Sequence, residues 1–418
     1  MKFTGYRCSV CQAEYLPDQA CYTCPQDGGN LDVVLDYRRL RGKALPENGE
    51  SSLWRYLPLL PVMDPGANET PLRAAGGTPI YSLDRLAAAA GLQKLWLKDE
   101  SRNPSASFKD RASAVVVARA RETGAQTVVT ASTGNAGAAL ACMAAAVGQK
   151  AVIFAPRNAP PAKVAQLLVF GAQVILVEGN YDEAFDLSVQ ASQAFGWYCR
   201  NTGYNPFTAE GKKTAAFEIW EWMKTGMQNS ADGRRGAPSS PLAVFVSVGD
   251  GNIIAGIHKG FKDLLALGWL ENMPRLFGVQ AEGAAAIAHT FHRGTERITP
   301  VSASTIADSI SVDLPRDGVR ALRAVRQSGG SYITVGDGEI VQAIAALGGC
   351  GVFAEPAGAA AYAGLAKAVH ENLIRPQDPV LVLNTGSGLK DVRAAMQAVP
   401  AAPVIEPRLE AVERLLGK

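Results

Sequence analysis

Lys109 closes the turn "NPSASF" and opens the alanine- and valine-rich run "KDRASAVVVARA". Most lysines keep their ammonium group in water. One at the mouth of an apolar run is either an ordinary surface charge or a desolvated amine that does chemistry, since burial disfavours its charged form. Two small-residue turns invite the same question. "STGNAG" holds Ser132, Thr133 and Asn135, and "GDGNI" runs from Gly249 through Asp250, Gly251 and Asn252 to Ile253. Such turns can cradle an anion with backbone N–H groups, or simply join a strand to a helix with Ser132 as a cap. A third turn, "TGSG", begins at Thr385.

A separate cluster lies near the N-terminus. Cys8 and Cys11 form one CxxC pair, and Cys21 and Cys24 a second. Two such knuckles can set four thiolates tetrahedrally about Zn²⁺; the alternative is four buried free thiols. The chain has seven cysteines, an odd number with four clustered, which argues against a disulfide framework.

What must position these residues is legible from Lys94 onward. "KLWLKDE", "TVVTA", "KAVIFAP", "QVILVEG", "LAVFVSVG", "RLFGVQA" and "VLVLNTG" read as strands. Alanine-rich helical runs over 109–123, 136–147, 162–171 and 182–196 separate the first of them. Strands alternating with helices predict βαβ units and a parallel sheet. In open α/β sheets, ligands bind beyond the carboxyl ends of the strands. Lys109 and all three turns follow strands, so they converge on one edge. An amine beside a phosphate cradle is what pyridoxal phosphate requires. The four histidines (His258, His289, His292 and His370) have no strand-end placement, and no Ser–His–Asp set stands out.

Around this core, 36–75 is proline-rich and reads as a wrapping segment, and 225–240 as a polar surface loop. The length of 418 residues exceeds one ordinary core and predicts more than one domain. A net charge of +2 gives no electrostatic case for nucleic acid or a membrane surface. No apolar stretch reaches the 18 residues of a spanning helix, and "MKFTGYRCSVC" has no signal-peptide core, so a cytoplasmic location is expected.

"GGTPIYSL", "LKDESRNPSASFKDRA", "ASTGNAG", "NPFTAEGKKTAAFEI", "FAEPAGAAAYAGL" and "VLNTGSGLKD" follow one another in that order. With these motifs the chain resembles the threonine synthase group of fold type II pyridoxal-phosphate enzymes over almost its whole length. The cysteine block followed by "WRYLPLLP" is also similar to many members. The resemblance implies an α/β fold of two domains with twisted, mostly parallel sheets, behind a small zinc-ribbon-like segment. The expected division is 1–35 for the ribbon, 36–109 with 226–418 for a large cofactor domain, and 110–225 for a small domain that closes on substrate.

The resemblance also implies roles. Lys109 would be the Schiff-base lysine and proton shuttle. Asn135 would hydrogen-bond the cofactor's 3′-oxygen, and Gly249, Asp250, Gly251, Asn252 and Ile253 would bind its phosphate. Thr385 would face the pyridine nitrogen, a neutral partner that favours elimination and replacement over transamination. Ser132, Thr133 and Asn135 would hold the substrate carboxylate, with Asn201 and Thr208 also on the substrate. Cys8, Cys11, Cys21 and Cys24 would hold structural Zn²⁺. A homodimer is the usual assembly.

Four departures stand out. Thr208 occupies the place where an arginine usually grips a substrate phosphate, in a segment one residue longer than usual. "VGDGN" is one residue short. Ala106 stands where glycine is usual. "TIADSISVDLPRDG", 305–318, is closer to amino-acid dehydratases and lyases. The expected reaction is O-phosphohomoserine to threonine and phosphate. The alternative within the class is β-elimination or β-replacement on an amino acid without a phosphate. Outside the class stand a cofactor-free binding protein on the same scaffold and a nucleic-acid-binding ribbon protein, the latter at odds with the near-zero net charge.

Overall fold

Val244 and Val246 face one side of their strand and Ala243 and Phe245 the other, yet all four are buried. A strand apolar on both faces belongs inside a parallel sheet covered by helices on both sides. In the computed structural model, which describes residues 2–46, 49–225, 227 and 240–417, this is what forms. The strands are β1 (Phe3–Cys8), β2 (Glu14–Tyr15), β3 (Leu31–Leu35), β4 (Ile80–Ser82), β5 (Leu95–Asp99), β6 (Thr127–Ala131) and β7 (Lys150–Pro156). They continue with β8 (Gln173–Val177), β9 (Tyr198–Cys199), β10 (Ala243–Ser247), β11 (Arg275–Ala281), β12 (Tyr332–Val335) and β13 (Val380–Asn384).

They build three sheets. β12-β11-β10-β13-β5-β4 form a six-stranded sheet, parallel except for edge strand β4. β8-β7-β6-β9 form a parallel four-stranded sheet, and β2-β1-β3 a small antiparallel one. The fold class is α/β with mostly parallel sheets, as expected. All seven expected strands form, shortened where polar strand ends such as Glu100 and Gly249 turn into the site. Strand β9 was not expected, because two residues carry no periodicity, and β4 and β12 escaped for the same reason of shortness.

Inside the six-stranded sheet, Val244, Val246, Leu381 and Leu383 join an apolar cluster that also holds Val115, Val117, Ile254 and Phe261 from helices. Ala243, Phe245, Val380 and Val382 face the opposite cluster, with Leu365 of the helix Pro356–His370. The expected wrapping segment carries the turn Leu53–Leu59, which buries Trp54 and Tyr56; Trp54 Nε1 donates to Leu72 O at 3.0 Å. Phe3, Tyr6, Leu31 and Val33 of the N-terminal sheet pack into the same cluster as Val115. The ribbon is therefore built into the body. Among the described residues, no helix is long and apolar enough to cross a membrane. The loop expected over 225–240 lies outside the described residues, save Thr225, Met227 and Ser240.

Candidate active site

Three helices begin at the carboxyl ends of strands and aim their first turns at one cavity of about 500 Å³. They are Lys109–Glu122, Asn135–Ala145 after β6, and Asn252–Leu267 after β10. Each first turn offers N–H groups without intrahelical partners and the positive end of a helix dipole. Lys109, Ser132, Thr133, Asn135, Gly249 to Ile253 and Thr385 all line this cavity.

Lys109 is surrounded by protein, and its residual exposure is to the cavity it lines. Burial pushes its amine below the usual lysine range, and Arg200 adds to this, while Glu355 and Asp250 pull the other way. The turn before it is docked on the turn after β13: Phe108 N donates to Thr385 O at 2.9 Å, and Ser387 N to Ala106 O at 3.1 Å. The amine and the Thr385 hydroxyl thus share one rigid support. Thr385 is buried, its Oγ1 3.5 Å from Ser247 Oγ.

The turn after β10 is a backbone cradle. Gly251 sits at φ +90°, and a Cβ there would meet Ala321 Cβ at 2.6 Å and Asp317 O at 2.9 Å. Glycine is required by both the angle and the approach. Asp250 contributes backbone only: its Oδ1 accepts Arg316 N at 3.2 Å, and so is engaged outside the cradle. Asn252 donates to Asp317 Oδ2 at 2.6 Å and accepts from Lys212 Nζ at 2.5 Å. The Lys212 amine is thereby fixed beside the cradle, and burial, with Lys109 and Arg200 nearby, pushes it well below the usual lysine range.

Across the cavity, Asn135 Nδ2 donates to Glu355 Oε1 and Oε2 at 2.8 and 3.0 Å. Glu355 is buried at the start of the helix Pro356–His370, and burial pushes its carboxyl above the usual range. Ser132 Oγ accepts Gly134 N at 3.2 Å, which fixes the "STGN" turn.

Two expected substrate residues are elsewhere. Thr208 is fully buried in the helix Phe207–Lys212, and its hydroxyl donates to Asn205 O at 2.8 Å; it does not line the cavity. Asn201 also stands behind the wall. Its Oδ1 accepts Thr130 Oγ1 at 2.9 Å and Ala131 N at 2.8 Å, and its amide donates to Ser188 Oγ at 2.8 Å. Asn201 therefore holds the end of β6, from which the "STGN" turn springs. Arg200, Thr202, Lys212 and Glu355 line the cavity and were not expected. Glu355 and Lys212 lie inside quoted motifs, "FAEP" and "EGKK", so a signal for them existed. Arg200 had none, since its direction depends on the two-residue strand before it.

Comparison with known proteins fits this arrangement. A family profile described as "Pyridoxal-phosphate dependent enzyme" matches residues 72–386. The chain belongs to this family. Within it, the chain is 36% identical to a threonine synthase of Methanocaldococcus jannaschii over 416 residues, 98% of each chain. It is 36% identical to one of Methanosarcina acetivorans, over 99% of this chain and 98% of the other. A threonine synthase of Mycobacterium tuberculosis is 33% identical over 86% of this chain and 94% of its own. In fold, the chain is similar to a diaminopropionate ammonia lyase of Escherichia coli (TM-score 0.65, 21% identity, 85% of this chain and 94% of the other). It is likewise similar to threonine deaminase isoform 2 of Solanum lycopersicum (TM-score 0.64, 22% identity, 86% and 96%). The chain is thus a pyridoxal-phosphate-dependent lyase of the threonine synthase type.

Its own residues fit that cofactor. An amine with a lowered proton affinity, a glycine cradle at a helix N-terminus and a neutral buried hydroxyl lie on one cavity. Lys109 would carry the cofactor, the Gly249–Ile253 amides its phosphate, and Thr385 its ring nitrogen.

At the N-terminus, the ligand atoms of Cys8, Cys11, Cys24 and Asp27 all lie within 4.8 Å of one another. Cys11 Sγ and Cys24 Sγ are 3.7 Å apart. That is the edge of a tetrahedron with metal–sulfur bonds of about 2.3 Å. The expected fourth ligand, Cys21, is outside this group, and Asp27 takes its place. The cause is Tyr22. Its ring stacks on Tyr204 at 4.7 Å and its hydroxyl accepts Cys199 N at 3.0 Å, which commits that end of the knuckle to the four-stranded sheet.

Proposed function

We propose that the chain converts O-phosphohomoserine and water to threonine and phosphate. The observation that carries this reading is Lys109: an amine pushed below the usual lysine range by burial, on one cavity with two helix N-termini that can each seat an anion. One seat, Gly249–Ile253, suits the cofactor phosphate; the other, Ser132–Asn135, suits the substrate carboxylate. Pyridoxal phosphate, when bound, supplies an electron sink for carbanion character on the substrate. Lys109 Nζ takes one proton from the substrate's α-carbon and one from its β-carbon. The γ-carbon–oxygen bond breaks and releases phosphate, and one proton goes to the γ-carbon. Water adds its hydroxyl at the β-carbon and releases its proton to the phosphate, and the other proton returns to the α-carbon. Asn135, held by Glu355, would hydrogen-bond the cofactor, and Thr385 would offer its ring nitrogen a neutral hydroxyl.

A second reading, elimination or replacement on an amino acid without a phosphate, is favoured by Thr208, which faces away from the cavity. The test is direct. Cofactor-loaded protein given O-phosphohomoserine is expected to release phosphate and form threonine in equal amounts, and Lys109→Ala to do neither. A protein that retains its cofactor band but frees no phosphate, while making a keto acid from serine, would establish the second reading instead.

The finer organisation belongs to the same proposal. Residues 110–225 act as the closing domain against 36–109 and 226–418, the cysteine group seats structural Zn²⁺, and the enzyme works as a cytoplasmic homodimer. A monomeric elution volume at working concentration would remove the last point.

A further inference from the structure

Four cations line the cavity: Lys109, Arg200, Lys212 and Arg316. Three have assignments. Lys109 is the reactive amine, Lys212 is bonded to Asn252 of the cradle, and Arg316 pairs with Asp182. Arg200 is different. It is fully buried, and among the described residues no carboxylate pairs with it. Its Nε donates to Ser113 Oγ at 3.3 Å and one terminal nitrogen to Thr202 Oγ1 at 2.6 Å; the other terminal nitrogen has no partner. A buried charge bonded only to hydroxyls is expensive, and a donor left over is more so. Burial pushes the guanidinium down to about 10, so it stays charged at neutral pH. Tyr181, Cys199, Asp250 and Asp110 lie around it, with Lys109 and Lys212, and among the described residues neither carboxylate is in ion-pair contact with it.

The surplus has a location. Arg200 follows β9, which pairs with β6, and its N–H donates to Val129 O at 2.7 Å. It therefore stands on the same wall as Ser132 to Asn135, with Lys212 and Asp250 of the cradle nearby. Thr202 Oγ1 accepts from Arg200, so its own hydroxyl proton remains free to donate. A guanidinium with one unpartnered nitrogen beside a free O–H matches a tetrahedral oxyanion.

We propose that Arg200, with Thr202, binds the terminal phosphate of the substrate, in place of the residue at position 208. The inference rests on the phosphate-bearing substrate of the preceding reading, and it relocates specificity to the end of β9.

The test uses the cofactor-loaded full chain and two ligands: the non-hydrolysable phosphonate analogue of O-phosphohomoserine, and homoserine, which lacks the phosphate. Binding is read from the shift of the cofactor's visible band. Arg200→Gln is expected to weaken the phosphonate about 10- to 100-fold, the range for a lost charge-assisted bond. It leaves homoserine within about twofold. Arg200→Lys recovers part of the loss, and Thr208→Val changes neither ligand by more than about twofold. If Arg200→Gln does not fold, Arg200→Lys and Thr202→Val carry the same comparison. Equal losses for both ligands, an unchanged phosphonate affinity, or failure of the Arg200 variants to hold cofactor would each overturn the proposal; the last would give Arg200 to the cofactor's own phosphate. Phosphonate binding that depends on Arg200 in an enzyme that frees no phosphate would leave the anion seat standing and sink only the assigned reaction.

Discussion

Ala106 holds a backbone angle that alanine resists, φ +64°. A left-handed L-residue costs roughly 1–2 kcal/mol, because its Cβ crowds the following carbonyl. The angle is imposed from both sides. Ala106 N donates to Asn103 O at 2.8 Å, and Ala106 O accepts Ser387 N at 3.1 Å, tying the lysine's turn to the turn after β13. The glycine usual at this place in the resembled family would relieve the strain, at the cost of a more flexible unfolded chain. Ala106→Gly is therefore expected to stabilise the protein by about 0.5–1 kcal/mol in urea titration, with the cofactor band unchanged. A loss of stability would show that the turn is set by something other than this angle. At the same scale, Ser132, Asn135, the cradle and Thr385 could be placed on the cavity from the sequence because each lies in the turn that follows a strand, and Lys109 because its turn leads from β5 into a helix. Thr208 does not reach the cavity because its hydroxyl turns back onto Asn205 O inside its own helix.

The elements around Lys109 are held by charge as well as by packing. Arg111, two residues on and fully buried, donates through Nε to Glu100 Oε2 at 2.7 Å and through its terminal nitrogens to Glu218 at 2.6 and 2.7 Å. Lys98 Nζ donates to Glu218 Oε2 at 2.6 Å. The knot joins β5, the Lys109 helix and the helix Thr214–Thr225. Replacing Arg111 by methionine keeps the volume but leaves two buried carboxylates against one lysine. Such a loss typically costs about 3–5 kcal/mol. Arg111→Met should show that drop in denaturant unfolding, whereas a change under about 1 kcal/mol would mean that water or rearrangement satisfies the two glutamates. Sequence patterns reach the strands and helices of such an assembly, since their apolar periods are set locally. They do not reach the knot, or the direction of Arg200. Both depend on residues far apart in the chain: Arg111 and Glu218 are 107 positions apart, and Arg200 is aimed by the pairing of β9 with β6.

Across the whole molecule, the N-terminal ribbon touches the end of the four-stranded sheet, the helix Gly318–Ser328 and the turn at Arg316, which lines the cavity. Tyr22 stacks on Tyr204 beside the four-stranded sheet, while Arg320, which holds Asp317 behind the cradle, also pairs with Asp32 of β3 at 2.7 Å. Asn30 Nδ2 donates to Gly203 O and, at 3.1 Å, to Arg316 O. Gly203 and Arg316 are themselves in close approach, since a Cβ on Gly203 would meet Arg316 Cβ at 2.6 Å. The turn that carries Arg200 and Thr202 is thus pinned to the turn beyond the cradle through a loop that the cysteine group folds. Metal bound there would stabilise this pin, because ordering a small loop-rich segment requires a cross-link. About one zinc per chain is expected by elemental analysis, retained in Cys21→Ser and lost in Cys24→Ser and Asp27→Asn. Metal loss should lower thermal stability and raise the KM for substrate severalfold while the cofactor band persists, since the cradle glycines do not touch the ribbon. If Cys21→Ser loses zinc as readily as Cys24→Ser, the ligand set is four cysteines and the Tyr22 dock must yield when metal binds. If KM is indifferent to the metal, the ribbon stabilises the fold without reaching the substrate wall.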